Sequence, residues 1–280
     1  MQTDIQKSPS ATHASIRIFG EGLDFEAVSR GIGFPPSGSH RKGDRDLIGR
    51  AFDKDMWRLD SPLSPTEPLD AHLKVLRTML SPRNDFLRSI KEFYEVSSYV
   101  GLTITGNAGQ FSVSAESLRL WVELAISMEL GIVFVNYTDL QSTPTTMPPA
   151  QSELASAAFL EIRGGISDWE PISRWLEVQP IKIDRSGNGD ADTMSYQLGL
   201  WSFDCPPTHF GNVDAQLKWL GAKLLPRIDV IGSLGSSNRL AIHCNLKTAK
   251  DITELSVSAE ALKTCTALGI PLLLTIKLII

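Results

Sequence analysis

Cysteine is scarce in this chain: Cys205, Cys244 and Cys265 are the only three, all in the second half. None has a second cysteine at metal-knuckle or dithiol spacing, which argues against a disulfide framework and reads them as reduced, mostly buried thiols. Long apolar runs are missing too. No stretch reaches the roughly 18 residues a membrane helix needs, and the opening MQTDIQKSPSATHAS lacks the apolar core of a secretory signal, so no membrane partner is expected and the cytoplasm is the expected compartment. Positive charge is not in excess. With 27 Lys and Arg against 32 Asp and Glu the formal charge is −5, which disfavours a nucleic-acid partner because no general phosphate-neutralising footprint exists. Catalytic signatures are absent as well: no G-x-S-x-G elbow, no Ser-His-Asp set, no phosphate loop, no H-E-x-x-H or C-x-x-C pattern. No enzyme activity, cofactor or metal is therefore expected.

What the chain does contain is itself, twice. Trp201 and Asp204 stand 144 positions after Trp57 and Asp60, and the same offset carries Pro62 to Pro206, Asp70 to Asp214, Pro82-Arg83 to Pro226-Arg227, and Gly20 and Asp24 to Gly164 and Asp168. It also carries Ser112-Val113-Ser114-Ala115-Glu116 onto Ser256-Val257-Ser258-Ala259-Glu260. A gapless offset of this length means a duplicated domain, not a short stacking repeat. The polar, proline-rich Thr138–Ala150 stretch reads as a linker. The expected organisation is a polar tail (1–13), a first repeat domain (14–137), a linker (138–153) and a second repeat domain (154–280).

Each element can be read in both copies. Alternation at Ser15–Phe19 and Phe159–Ile162 predicts an opening strand, and Asp24 or Asp168 caps a short helix. A long polar loop follows, then a strand at Met56–Asp60 or Leu200–Asp204. Leu73, Leu76 and Leu80, or Leu217, Leu220 and Leu224, mark a helix that finishes before Pro82 or Pro226. Strands at Val96–Thr105 and Arg239–Lys247, short ones at Phe111–Val113 and Leu255–Val257, a helix capped by Ser114 or Ser258, and last strands at Leu130–Val135 and Leu272–Leu278 complete the pattern. The order β-α-β-α-β-β-α-β predicts an α+β fold. Each domain should be a mostly antiparallel sheet with helices largely on one face, in ferredoxin-like layering.

The opening strand with its F-G, the Gly38–Asp44 loop GSHRKGD, the W-x-x-D strand at Trp57–Asp60 and the D-A-H-L-K-x-L helix from Asp70 together resemble the domain-of-unknown-function family 4279, twice over nearly the whole chain. The second copy departs from that pattern: Asp184 replaces His40, Ser186 replaces Lys42, Asn188 replaces Asp44 and Gln216 replaces His72. The resemblance implies a fold and a mostly bacterial occurrence but no activity. Domains of this size and charge are similar to the immunity proteins of bacterial toxin systems.

The candidate site is the loop holding His40, Arg41, Lys42, Asp44 and Arg45, which brings a histidine, cations and carboxylates together and suits an anion, although an exposed charged loop has the same composition. Trp57 and Arg58 are its candidate neighbours on a recognition surface, because aromatic residues and arginine dominate binding hot spots. The opposing reading puts Trp57 in the core, with Asp60 pointing the other way. Trp121, Trp169, Trp175 and Trp219 have no tryptophan counterpart and read as core filling. His72 and Asp70, two positions apart, do not share a helix face and form no relay. Asp184–Asp192 has some calcium-loop spacing but no distal glutamate, and reads as a plain loop. The function expected is a non-catalytic protein-binding module, such as a toxin-neutralising immunity-type protein with a toxin domain as partner. The alternative is a small-molecule or anion sensor using the basic loop.

Overall fold

The computed structural model describes residues 10–46, 48–135, 155–164, 169–180, 182–184, 199–206, 212–248 and 252–278. The linker, Asp168 and positions 185–192 of the calcium-like loop lie outside them. The first repeat runs β1 (Ser10–Gly20), α1 (Phe25–Ile32), β2 (Gly38–His40), β3 (Asp55–Asp60), α2 (Leu69–Leu80), α3 (Asn84–Ile90), β4 (Glu95–Thr105), β5 (Ala108–Val113), α4 (Ala115–Glu123) and β6 (Met128–Val135). The second runs β7 (Ala155–Gly164), α5 (Glu170–Leu176), β8 (Lys182–Asp184), β9 (Gly199–Asp204), α6 (Val213–Leu224), α7 (Ile228–Gly235), β10 (Arg239–Thr248), β11 (Ile252–Val257), α8 (Ala259–Leu268) and β12 (Leu272–Leu278).

The fold class is the α+β one expected, with two additions per repeat. A three-residue strand closes the polar loop, and the long helix does not stop for good at proline. Pro82 and Pro226 cannot donate the amide that would continue the ladder. The chain instead tightens into a 3-10 turn, Ser81–Arg83 or Leu225–Arg227, and restarts as α3 or α7. The opening strand begins at Ser10, inside the expected tail, because Ser10–His13 pair with Ile104–Gly101.

Local chemistry explains the elements. The Asp24 carboxylate accepts the Glu26 and Ala27 amides at 3.0 and 2.9 Å, holding the first turn of α1. Leu73, Leu76 and Leu80 in α2 and their counterparts in α6 are all fully buried, each contributing about 1.5–3 kcal/mol by leaving water. Along β1, Ala14, Ile16 and Ile18 are buried beneath the helices while His13, Arg17 and Phe19 on the other face are half-exposed. One face of the sheet is therefore covered and the other only partly open, with the small Ser15 and Ser97 buried between its larger side chains. Gly20 and Gly164 are glycine because the side chains at one shared position, Tyr94 and Asn238, occupy the space a Cβ would need.

The first sheet has the order β11-β6-β4-β1-β3-β2 and the second β5-β12-β10-β7-β9-β8. In the first sheet every pairing is antiparallel except β4 with β6, and in the second β10 lies parallel to β12 while β10 with β7, β7 with β9 and β9 with β8 are antiparallel. Each sheet also takes one strand from the other repeat, which contiguous domain boundaries do not anticipate. The described residues of the first compact unit fall within Met1–Gly109, Ser117–Thr145 and Lys250–Ala259, and those of the second within Gln110–Glu116, Thr146–Ala249 and Glu260–Ile280. β5 cannot pair with β4, its neighbour in sequence, because β1 and β6 already occupy both sides of β4. Among the described residues no helix is long and apolar enough to cross a membrane.

Candidate functional site

The basic loop folds onto itself. Asp55, buried at the start of β3, accepts the Leu23 amide (3.0 Å), the Lys42 amide (2.8 Å) and a guanidinium nitrogen of Arg41 (3.1 Å). The Lys42 amide is the foremost cause that holds its carboxyl below the ordinary value. Arg41 also donates to the Leu23 carbonyl at 2.6 Å and lies 3.7 Å over the Phe25 ring, while its own amide binds Asp44 at 2.7 Å. Lys42 pairs with Glu21 at 2.6 Å, and Arg45 donates to the Gly49 carbonyl at 2.6 Å. The three cations that looked available to an anion are thus engaged by acceptors of the same unit. His40 is different: its ring stacks on Phe52 at 3.6 Å, facing a groove, and burial lowers its pKa.

Trp57 belongs to the core and not to a recognition surface. It is fully buried, and its Nε1 donates to Ser29 Oγ at 3.1 Å. Trp201 repeats the arrangement with Ser173 at the same 3.1 Å. Strand alternation then places Arg58 and Asp60 on the open face, as the period of two requires. Trp121 and Trp169 are buried, but Trp175 is 56% exposed, so it does not fill core space. Trp219 is half-buried and stacks on Phe203 at 5.3 Å. His72 is buried, with burial lowering its pKa, and Gln216 in its place donates to the Ser156 carbonyl at 2.9 Å.

The open face of the first sheet gathers residues that sequence reading passed over. Arg17 on β1 stands directly opposite Arg58 on β3, and Ser15 between Asp60 and Tyr99. The Arg17 guanidinium lies 3.6 Å over the Tyr99 ring; burial lowers its pKa, opposed by Tyr99 and Glu129. Tyr99 lies flat because Gly101 and Gly131 leave room, and a methyl at Gly131 would collide with its hydroxyl. Arg58 is 2.9 Å from Asp60 without hydrogen-bond alignment, and His13 is 3.4 Å from the same carboxylate. Burial works to raise the pKa of Asp60, but His13 and Arg58 outweigh it and lower it. An open groove of about 630 Å³ runs over Arg17, Phe19, His40, Phe52, Met56 and Arg58, edged by Glu95 and Glu129. A second, of about 350 Å³, runs over Tyr99 and Glu129 to Glu254, Leu255 and Ser256 of the donated strand. The signal for Arg17 was present in the sequence: a cation at mid-strand, out of phase with Ile16 and Ile18.

The second unit carries different chemistry at the same positions. Glu161 replaces Arg17, His243 replaces Tyr99, Ser202 replaces Arg58 and Leu273 replaces Glu129. Glu161 is held by Arg163 at 2.5 and 3.2 Å and lies 3.2 Å from His243, whose ring stacks on Phe159 at 4.9 Å. Burial would raise the Glu161 pKa, but His243 and Arg163 take it down to about 2. The three cysteines are free and buried, and burial pushes Cys205 up to about 11, far from a reactive thiolate. Among the described residues no cluster of three or more His, Cys, Asp or Glu could hold a metal ion.

A family model described as Domain of unknown function (DUF4279) matches residues 10–134 and again residues 152–278. No curated protein matches the chain.

Proposed function

Because the chain belongs to the DUF4279 family, whose description carries no activity, we propose its function from geometry: a non-catalytic protein-binding module that recognises its partner on the open sheet face of the first unit. The observation that carries this is the groove over Arg17, Phe19, His40, Met56 and Arg58. It joins arginine to aromatic and methionine surface, the combination enriched at binding hot spots. It is also open and shallow, whereas small-molecule sites enclose roughly 70–90% of their ligand. A rigid sheet supplies the floor, so little ordering entropy is lost on binding. The acidic net charge of −5 speeds encounter with a basic partner such as a cationic toxin domain, whose cations would meet Glu95 and Glu129 at the groove's edge and not the arginines of its floor.

The test captures the tagged full-length chain beside its Arg58→Glu, Met56→Asp double variant from the native cytoplasm. One stoichiometric protein, held by the wild type, lost by the folded variant and toxic when expressed without this chain, is the expected result. A wild-type eluate with no such protein, or a partner held equally by the variant, overturns the reading.

A second reading rests on one specific feature, two arginines directly opposite each other on the groove floor. Like charges so placed destabilise a sheet and invite an anion. A small anionic ligand would raise the melting temperature of the wild type and not of Arg58→Ala.

A further inference from the structure

In both sheets the edge beside the last strand of a repeat is filled by a strand from the other repeat. β11 pairs with β6 through six consecutive positions, from Ile252 opposite Val133 to Val257 opposite Met128. β5 takes the matching place beside β12. These strands also plug the cores: Phe111 and Val113 from β5, and Thr253 and Val257 from β11, are buried. Their C-terminal ends and the residues that follow are identical, Ser112-Val113-Ser114-Ala115-Glu116 and Ser256-Val257-Ser258-Ala259-Glu260. An edge that accepts one therefore has little basis for rejecting the other.

We propose that the outer edge of β6, like that of β12, is a strand-docking site whose partner is the β5-type strand of another copy of this repeat, and that reciprocal strand donation, not the linker, holds the two repeats together. Docking satisfies the backbone amides and carbonyls of an otherwise open edge, and alternate side chains fill pockets beneath, which is how added strands gain affinity and register. The linker makes donation intramolecular and so raises the effective concentration of each strand. It adds no contact that the proposal requires.

The test uses the full-length chain with a protease site introduced within positions 138–153, and two cysteine pairs. Ser256→Cys with Glu129→Cys joins residues directly opposite in the observed register. Ser112→Cys with Glu129→Cys joins the residues that would be opposite if each repeat kept its own strand. After oxidation and cleavage, the first pair should link the two fragments on a denaturing, non-reducing gel and the second should form no disulfide. Cleaved protein without added cysteines should elute natively as one species and part only in denaturant. A disulfide from the Ser112 pair confined to the N-terminal fragment, fragments that separate in native buffer, or failure of both pairs to oxidise would each overturn the proposal.

Discussion

The open faces of the two units differ more than anything beneath them. Under the sheet, Trp57 and Trp201 make the same hydrogen bond to Ser29 and Ser173. Above it, an arginine over a tyrosine faces a groove in one unit, while in the other a glutamate clasped by Arg163 lies beside a histidine. Asp60 and Asp204 show the same divergence on a single carboxylate. His13 and Arg58 draw the pKa of Asp60 down, whereas at Asp204, with Ala157 and Ser202 in their places, burial alone acts and pushes it up. The duplicated scaffold is kept by packing constraints, and the face not covered by the helices is where the copies were free to part.

The largest effects test the shared part. Trp57→Ala and Trp201→Ala should each cost about 3–5 kcal/mol in denaturant unfolding; a cost confined to one unit would show that the cores are not equivalent. Next comes Glu161→Gln. Because the Glu161 pKa is lowered to about 2 from the ordinary 4.5, its stabilisation is present above pH 4.5 and is lost as pH falls towards 2. The variant should be less stable at pH 7 by about 2 kcal/mol, allowing for the half-exposed Arg163, and the two proteins should converge in acid. The reverse holds for Asp204, whose raised pKa means that stability is lost as pH rises through it. Asp204→Asn should therefore gain stability at pH 7 and keep no gain in strong acid. Asp60→Asn should lose about 0.5 kcal/mol at neutral pH, so opposite signs in parallel melts would sharpen the contrast.

A smaller difference sits at the end of the first helix. Gly33 adopts the left-handed conformation at φ 84°, and Glu177 is forced into the same region at φ 54°. The strain costs roughly 1 kcal/mol, offset in part by the ion pair of Glu177 with Arg227. Glu177→Gly should stabilise by a few tenths of a kcal/mol, less than the backbone term alone predicts, as thermal unfolding would show.

The core and element order were legible because two copies reported the same periodicities: Leu73, Leu76 and Leu80 against Leu217, Leu220 and Leu224 left little choice of helix. The site was only partly legible. Arg58 and His40 do reach the groove, but Arg17, Tyr99 and Glu129 are distant in sequence and become neighbours only through the β1-β4-β6 register. The cations of the loop looked free because Asp55, which anchors two of its residues, reads in sequence as one more surface carboxylate. The strand exchange left no sequence trace, since identical donor ends encode a docking strand without naming which edge it joins.

That exchange sets a timetable for synthesis. The first unit emerges from the ribosome with the edge of β6 bare, and the strand that closes it ends at Val257, roughly 120 residues after Val135. At about 5–20 residues per second the wait lasts on the order of ten seconds. Throughout that interval the edge is open to any strand of its type, the chain's own β5, already synthesised, and the copies carried by ribosomes spaced along one message alike. Translation speed across the second repeat thus sets how long the edge waits for β11 while those competitors are at hand.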